Sequence, residues 1–326
     1  MVAWELTRRC NLDCVHCRAR AGAECGGDEL SLDECRAIVD DIASFAAPTI
    51  ILTGGEPLLR PDIFDIIRYV TSKGLRPVIA VNGTLVDRET AQKLKDAGIL
   101  RVSMSIDGKD RAGHDSFRRV DGSFDAVLNA ARILTDVGLP FQINTTVTTL
   151  NLRDLGEIYA LVRCIGAVAW HTFLLVPVGR GEGLKGAELD AARYEEVLNW
   201  LYEREEQNEI EMKVTCAPHY YRIVTERGGT PKSAGCLAGK SFLFISHTGV
   251  AQPCGYLELP SGDVRKDGVR KVWEESPQFA AIRDLKGYKG KCGRCRYVAI
   301  CGGCRARALE LKDDMLEAEP YCSYGG

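Results

Sequence analysis

Ten of the fourteen cysteines in this 326-residue chain fall into two fields. Cys10, Cys14 and Cys17 lie within eight residues near the start. Cys236, Cys254, Cys292, Cys295, Cys301, Cys304 and Cys322 lie toward the end. The opening MVAWELTRRC has neither an apolar h-region nor a small-residue cleavage site. A cytoplasmic location is therefore expected, and there structural disulfides are rare. Thiols at this density then read as metal ligands. Hydrophobic residues at 45% and charged residues at 27% describe an ordinary soluble chain, which excludes disorder and collagen-like structure. The net charge of −3, with no interleaved aromatic platform, argues against nucleic acid. The most apolar stretch, residues 167–178, is too short to span a membrane. Oligomeric state is not legible.

Between Val2 and about Val178 short β-rich runs alternate with amphipathic helices. Strands are expected at Val2–Leu6, Thr49–Thr53, Pro77–Val81, Arg101–Ile106, Phe141–Val147 and Ala169–Val176, each a compact apolar run of the parallel-sheet kind. Helices follow them. Ser31 and Glu34 form a capping box, Pro61 opens a helix that closes on Gly74, and others end at Gly98, Gly138 and Gly166, with a sixth near Ala191–Glu206. Six strand–helix units point to a doubly wound sheet or a parallel barrel, and fall short of the eight of a closed TIM barrel. After about Lys213 the pattern changes. A hairpin is expected around His247-Thr248-Gly249, then a helix, then cysteines among Gly and basic residues whose stability metal must supplement. The division expected is 1–212 and 213–326.

Three thiolates in one loop after the first strand can hold three corners of a cubane iron–sulfur cluster, with no obvious fourth ligand nearby. Structural zinc is normally four-coordinate, and CxxxCxxC is not a usual zinc spacing. The loop reads as a cluster with one iron open to an outside ligand. Thr53-Gly54-Gly55-Glu56-Pro57 ends strand two. With the CxxxCxxC loop, it resembles the radical SAM superfamily, whose fold is a partial (β/α)6 TIM-like barrel. That resemblance implies a [4Fe-4S] cluster on Cys10, Cys14 and Cys17. It also implies S-adenosyl-L-methionine chelated to the open iron and cleaved by one electron to a 5′-deoxyadenosyl radical. Gly54 and Gly55 would let the methionine moiety approach closely, and Glu56, followed by Pro57, would offer its carboxylate to the ammonium. By the same resemblance Asn82, Ser105, Arg118 and Asn144 would contact SAM. His16 stands where many relatives carry an aromatic residue that packs on adenine.

The second field resembles the SPASM extension of that superfamily, which carries auxiliary clusters. Carry-over implies one or two auxiliary [4Fe-4S] clusters. Cys292, Cys295, Cys301 and Cys322 would hold one, and Cys236, Cys254 and Cys304 another, its fourth ligand being Cys216, a substrate atom or nothing. The family pattern has three residues where this chain has only Gly302 and Gly303. A zinc ribbon from Cys292, Cys295, Cys301 and Cys304 is the competing reading. Residues 262–312 carry 13 Lys and Arg against 6 Asp and Glu, a field suited to anionic clusters or a polycarboxylate substrate. Cys25, Cys35 and Cys164 fit no cluster spacing. Cys35 and Cys164 read as buried apolar fillers.

Segments such as Cys216-Ala217-Pro218-His219-Tyr220-Tyr221-Arg222 and Gln252-Pro253-Cys254-Gly255-Tyr256 are similar to the porphyrin-modifying branch, nearest to its heme b synthases. This resemblance covers essentially the whole chain. It implies oxidative decarboxylation of two propionates of Fe-coproporphyrin III, an iron porphyrin, to vinyl groups, with an external low-potential electron donor. Arg180, Tyr220 and Arg222 would anchor propionates, and His219 or His247 would meet the heme iron. The rivals are a sister enzyme that removes acetates from didecarboxysiroheme, a SPASM peptide maturase, for whose leader-binding domain there is no spare length, and an iron–sulfur electron carrier.

Overall fold

Strand β1, Val2–Glu5, is buried along its whole length because strands flank it on both sides. The computed structural model describes residues 1–24, 27–233 and 235–325. From β1 the chain builds six strand–helix units. Their strands are β1, β2 (Thr49–Thr53), β3 (Arg76–Ala80), β4 (Val102–Ser105), β5 (Phe141–Val147) and β6 (Ala169–Leu174). A seventh strand, β7 (Glu211–Thr215), closes the series. All seven are parallel and lie in chain order. The helices are α1 (Leu32–Phe45), α2 (Ile63–Ser72), α3 (Arg88–Asp96), α4 (Arg111–Arg118), α5 (Ser123–Val137), α6 (Leu155–Cys164) and α7 (Ala191–Glu206). A short α8 (Tyr220–Glu226) follows β7.

Local sequence fixes most of these elements. The box at α1 forms as read: Glu34 N–H donates to Ser31 Oγ at 3.3 Å and Ser31 N–H to Glu34 Oε2 at 2.8 Å. Asp87 and Asp190 cap α3 and α7 with their carboxylates, and Gly138 ends α5 at φ 66°. Along β5 burial alternates. Phe141, Ile143, Thr145 and Val147 pack into the apolar core with the helices, while Gln142, Asn144 and Thr146 are half-buried on the other face. The strands are therefore not apolar on both faces, as their runs suggest. One face is left partly polar, which is what a cavity over a sheet requires.

The second part of the chain joins the same sheet. Strand β8 (Leu243–Ile245) pairs in parallel with β1, and β9 (Val250–Gln252) and β10 (Gly262–Asp263) follow antiparallel. The expected hairpin is there, and it extends the barrel sheet. The expected division at 212/213 falls within β7. Beyond β10 come α9 (Val264–Asp267), α10 (Val269–Glu275), α11 (Pro277–Arg283), α12 (Gly290–Gly293) and α13 (Arg305–Lys312). Among the described residues no helix is long and apolar enough to cross a membrane.

Candidate functional site

The cysteine loop leaves β1 at its C-terminal end and is tied down by backbone. Cys10 N–H donates to Gly22 O at 3.1 Å and Val15 N–H to Phe117 O at 3.0 Å. Each thiol also has a donor aimed at it: Leu12 N–H on Cys10 Sγ at 3.4 Å, Ala21 N–H on Cys17 Sγ at 3.4 Å, and Arg118 Nη1 on Cys14 Sγ at 3.6 Å. Such donors stabilise thiolate-bound iron and raise its potential. Burial pushes the Cys10 thiol up to about 11, so iron binding there must release a proton. All three thiols are free of disulfides.

The glycines of the second motif answer a crowding problem within the protein. A Cβ on Gly54 would lie 2.5 Å from Thr7 O, and one on Gly55 2.4 Å from Arg9 O. Gly55 N–H donates to Thr7 O at 2.7 Å and Glu56 N–H to Arg9 O at 2.8 Å. The backbone that approaches the Cβ side of these glycines is the cysteine loop's own, so glycine is required here by the fold of the loop itself. Pro57 opens a single 3₁₀ turn. The carboxylate of Glu56, fully buried, accepts Leu58 N–H at 3.0 Å and Asn82 N–H at 2.6 Å. Asn82 in turn donates to Asn11 Oδ1 at 2.7 Å, so the ends of β2 and β3 are sewn to the loop.

Arg118, nearly buried, pairs with Asp107, and that carboxylate also accepts Thr146 N–H at 2.7 Å. His16 packs on Phe117 with ring centres 4.7 Å apart. Burial, reinforced by Arg118, lowers it to about 4, leaving a neutral flat ring. Ser105, Asn144 and His171 are register neighbours on β4, β5 and β6. Asn144 donates to Ser103 Oγ at 2.9 Å and accepts Gln142 Nε2 at 3.0 Å. The structure thus brings Asn82, Arg118, Ser105 and Asn144 to the end of the sheet that carries the cysteine loop. Gln142 and His171 belong to the same polar face, and the β5 alternation was the signal for Gln142.

The C-terminal thiols sort into two groups. Cys292, Cys295, Cys301 and Cys322 line one cavity with His219, Arg222 and Glu319. Glu319 N–H points at Cys292 Sγ (3.3 Å), Tyr297 N–H at Cys295 Sγ (3.4 Å) and Gly303 N–H at Cys301 Sγ (3.4 Å). Cys304 is absent from that lining. It lies within electrostatic reach of Cys236 and Cys216, and Cys216 in turn feels Cys254. Cys216 adopts the left-handed conformation at φ 61°, and its carbonyl accepts Arg307 Nη2 at 2.8 Å. Among the described residues no three His, Cys, Asp or Glu side chains converge on one ion. Cubane ligands each bind a different iron and need not converge, so this does not count against clusters, and Cys304, outside the cavity lined by Cys292, Cys295 and Cys301, leaves the zinc ribbon without its fourth ligand.

Two buried ion pairs join these groups. Glu5, fully buried, takes Arg8 and Arg18 at 3.1 Å and His247 Nδ1 at 2.9 Å. Arg18 covers the Phe244 ring at 4.4 Å and reaches Gly255 O, beside Cys254. The Tyr256 hydroxyl lies within electrostatic reach of Cys17, Cys216 and Cys254, so the first loop and the second group are neighbours. The other pair, Arg307 with Glu319 at 3.0 Å, links Cys216 O to Cys304 N–H and Cys292 Sγ.

The five residues expected at the substrate have other work. Arg180 clamps the cysteine loop, donating to Cys14 O and Ala21 O at 2.8 Å and pairing with Asp13. Arg222 pairs with Glu195 and Glu226, and Tyr220 donates to Glu205. His247 is engaged by Glu5, and His219 is sealed at 1% exposure. Each would have to abandon its partner, or its burial, to meet a porphyrin. Cys35 is a buried filler, whereas Cys164 is exposed at the end of α6, because its helix turns that position to solvent. Cys25 lies outside the described residues.

Residues 4–162 match the radical SAM superfamily, and residues 236–305 match the SPASM iron–sulfur cluster-binding domain. An AdoMet-dependent heme synthase of Nitratidesulfovibrio vulgaris is 48% identical over 99% of this chain and 92% of its own length. An Fe-coproporphyrin III synthase of Methanosarcina barkeri is 30% identical over 99% of this chain and 87% of its own length. Among solved structures, SuiB of Streptococcus suis bound to S-adenosylmethionine superposes with a TM-score of 0.79 at 17% identity, covering 99% of this chain and 77% of that one. The cysteine loop on β1, the glycine turn wrapped against it and the cysteine-rich extension sharing its sheet accord with these matches: the chain belongs to the SPASM-bearing radical SAM enzymes, which carry a SAM-bound [4Fe-4S] cluster and auxiliary clusters.

Proposed function

We propose that the chain converts two propionate side chains of Fe-coproporphyrin III to vinyl groups, forming heme b. The observation that carries this reading over the acetate-removing alternative is the gap in likeness. Identity is 48% to a heme synthase and 30% to an Fe-coproporphyrin III synthase, each along 99% of the chain. Each propionate must lose a hydrogen atom from the carbon next to the ring, then carbon dioxide and one electron, leaving a vinyl group. Bound to Cys10, Cys14 and Cys17, the SAM cluster supplies the hydrogen-abstracting radical chemistry.

The chain's own residues prepare that chemistry. Arg118 holds a cation against Cys14 and is kept charged and oriented by Asp107. Arg180 fixes the loop from the other side. Asn82, Ser105 and Asn144 offer hydrogen bonds to SAM at the strand ends, and Glu56 holds the turn they depend on. Removing carboxylate carbon releases an electron, so this chemistry needs a sink near the reacting carbon. We assign that part to the two cysteine groups, Cys236, Cys254, Cys304 and Cys216, and Cys292, Cys295, Cys301 and Cys322. The reading calls for an iron porphyrin substrate, an external low-potential electron donor and a cytoplasmic setting, with no part for nucleic acid or a membrane.

The test is an anaerobic assay of cluster-reconstituted protein with SAM and reductant, offered Fe-coproporphyrin III or didecarboxysiroheme and read by mass spectrometry. Heme b forming through a monovinyl intermediate is expected. Acetate loss from didecarboxysiroheme with Fe-coproporphyrin III untouched would transfer the protein to the sister reaction.

A further inference from the structure

His219 is the most poorly satisfied polar side chain among the described residues. It is 1% exposed, and both its ring nitrogens are buried without a hydrogen-bond partner. A neutral imidazole carries one N–H donor and one acceptor, and burying both unmet is costly. The Tyr194 ring packs against the imidazole at 5.5 Å. The residue lines the cavity bounded by Cys292, Cys295, Cys301 and Cys322.

The protein groups in that cavity do not meet the need. Glu319 is the carboxylate there, and it already accepts Cys304 N–H, Tyr321 N–H and Arg307. Arg222 brings a further unpartnered donor, Nε, its other nitrogens being held by Glu195 and Glu226. The backbone adds three N–H groups that already point at thiols. The cavity therefore holds more donors than acceptors. What completes it must be anionic and rich in acceptors, which describes thiolate and sulfide sulfur and not a porphyrin iron.

We infer that His219 donates an N–H hydrogen bond to the sulfur of the cluster held by Cys292, Cys295, Cys301 and Cys322, and thereby holds that cluster's reduction potential up. The inference rests on the ligand set proposed above. A donor to sulfur stabilises the reduced, more negative cluster. His219 is a positioning and tuning residue, one step removed from the reacting atoms.

The experiment is redox-poised electron paramagnetic resonance of iron-replete wild type, His219→Phe and His219→Gln, following the cluster signals that do not respond to SAM. In His219→Phe one of those signals should become about tenfold harder to reduce, ~59 mV for a one-electron couple, while the others hold their potentials. His219→Gln, which keeps an N–H, should recover most of the shift. A second measurement on the wild type needs no variant to fold: with ¹⁵N-labelled histidine, the reduced cluster should show a weak ¹⁵N coupling. Unmoved potentials in iron-replete His219→Phe, an equal fall in both variants, or absent ¹⁵N coupling would overturn the inference. A strong coupling would overturn it too, making His219 a ligand. Cys301→Ala that keeps its full iron content would instead sink the ligand set, and the inference with it.

Discussion

Gly55 shows how one position couples the two motifs. Its Cβ would sit 2.4 Å from Arg9 O and 2.9 Å from Cys10 Cβ, so even a methyl group must displace the cysteine loop. Gly55→Ala should lose on the order of four iron atoms per chain, one cubane, while the C-terminal clusters stay loaded. Iron and acid-labile sulfide analysis reads this, and a full complement of iron would contradict it. Glu5 acts through charge. Burial alone would raise its pKa, but Arg18, the bond to His247 and Arg8 prevail and hold it at about 2, against an ordinary 4.5. A folded pKa below the unfolded one adds stability above about pH 4.5 that is lost as pH falls toward 2. The amount is on the order of 3 kcal/mol. Glu5→Gln should be less stable at pH 7 and should flatten the acid limb of unfolding followed by circular dichroism. The motif residues around these groups were legible from spacing alone. Their partners were not: His247 lies 242 positions from Glu5, and only folding brings them together.

At the scale of elements, legibility followed local signals. The capping box of α1 and the run Phe141–Val147 of β5 are written in neighbouring residues, and both elements stand where the sequence places them, although β5 buries one face only. Strand β7 was missed because it emerges from the charged end of α7 and buries only Met212 and Val214. Helix α4, eight residues capped by Asp110, is too short and polar for a periodic signal. Cys216 stood only as one option for a fourth ligand, since its approach to Cys304 depends on a left-handed turn after β7. The pairing of Arg307 on α13 with Glu319 on the following tail is likewise a product of tertiary structure. Both are almost fully buried, and together they hold Cys216 O, Cys304 N–H and Cys292 Sγ. Arg307→Met strands a buried carboxylate and should cost about 3–5 kcal/mol. The double variant Arg307→Met/Glu319→Leu should cost less in thermal unfolding, because no charge is left unpaired. Equal destabilisation would show that the pair acts by packing alone.

The whole molecule is organised around one continuous sheet, in which β8 covers β1 on the side away from β2. A chain cut after residue 235 would remove β8 and leave the backbone edge of the apolar strand β1 unpaired, and such edges aggregate. Residues 1–235 alone should therefore be insoluble or unstable. A monodisperse, cooperatively folding fragment would show the barrel to be independent of its extension. The shared sheet also sets the first cysteine loop beside Cys254 and Cys216, joined through Arg18 and Tyr256. A reaction that releases an electron at each carboxylate has use for that adjacency. The proposed reaction takes hydrogen from the propionate carbon next to the porphyrin ring. The measurement is made with Fe-coproporphyrin III deuterated at that carbon and turned over anaerobically with SAM. One deuterium should appear in 5′-deoxyadenosine for each vinyl group formed. Unlabelled 5′-deoxyadenosine accumulating beside an intact, fully deuterated porphyrin would rule that abstraction out.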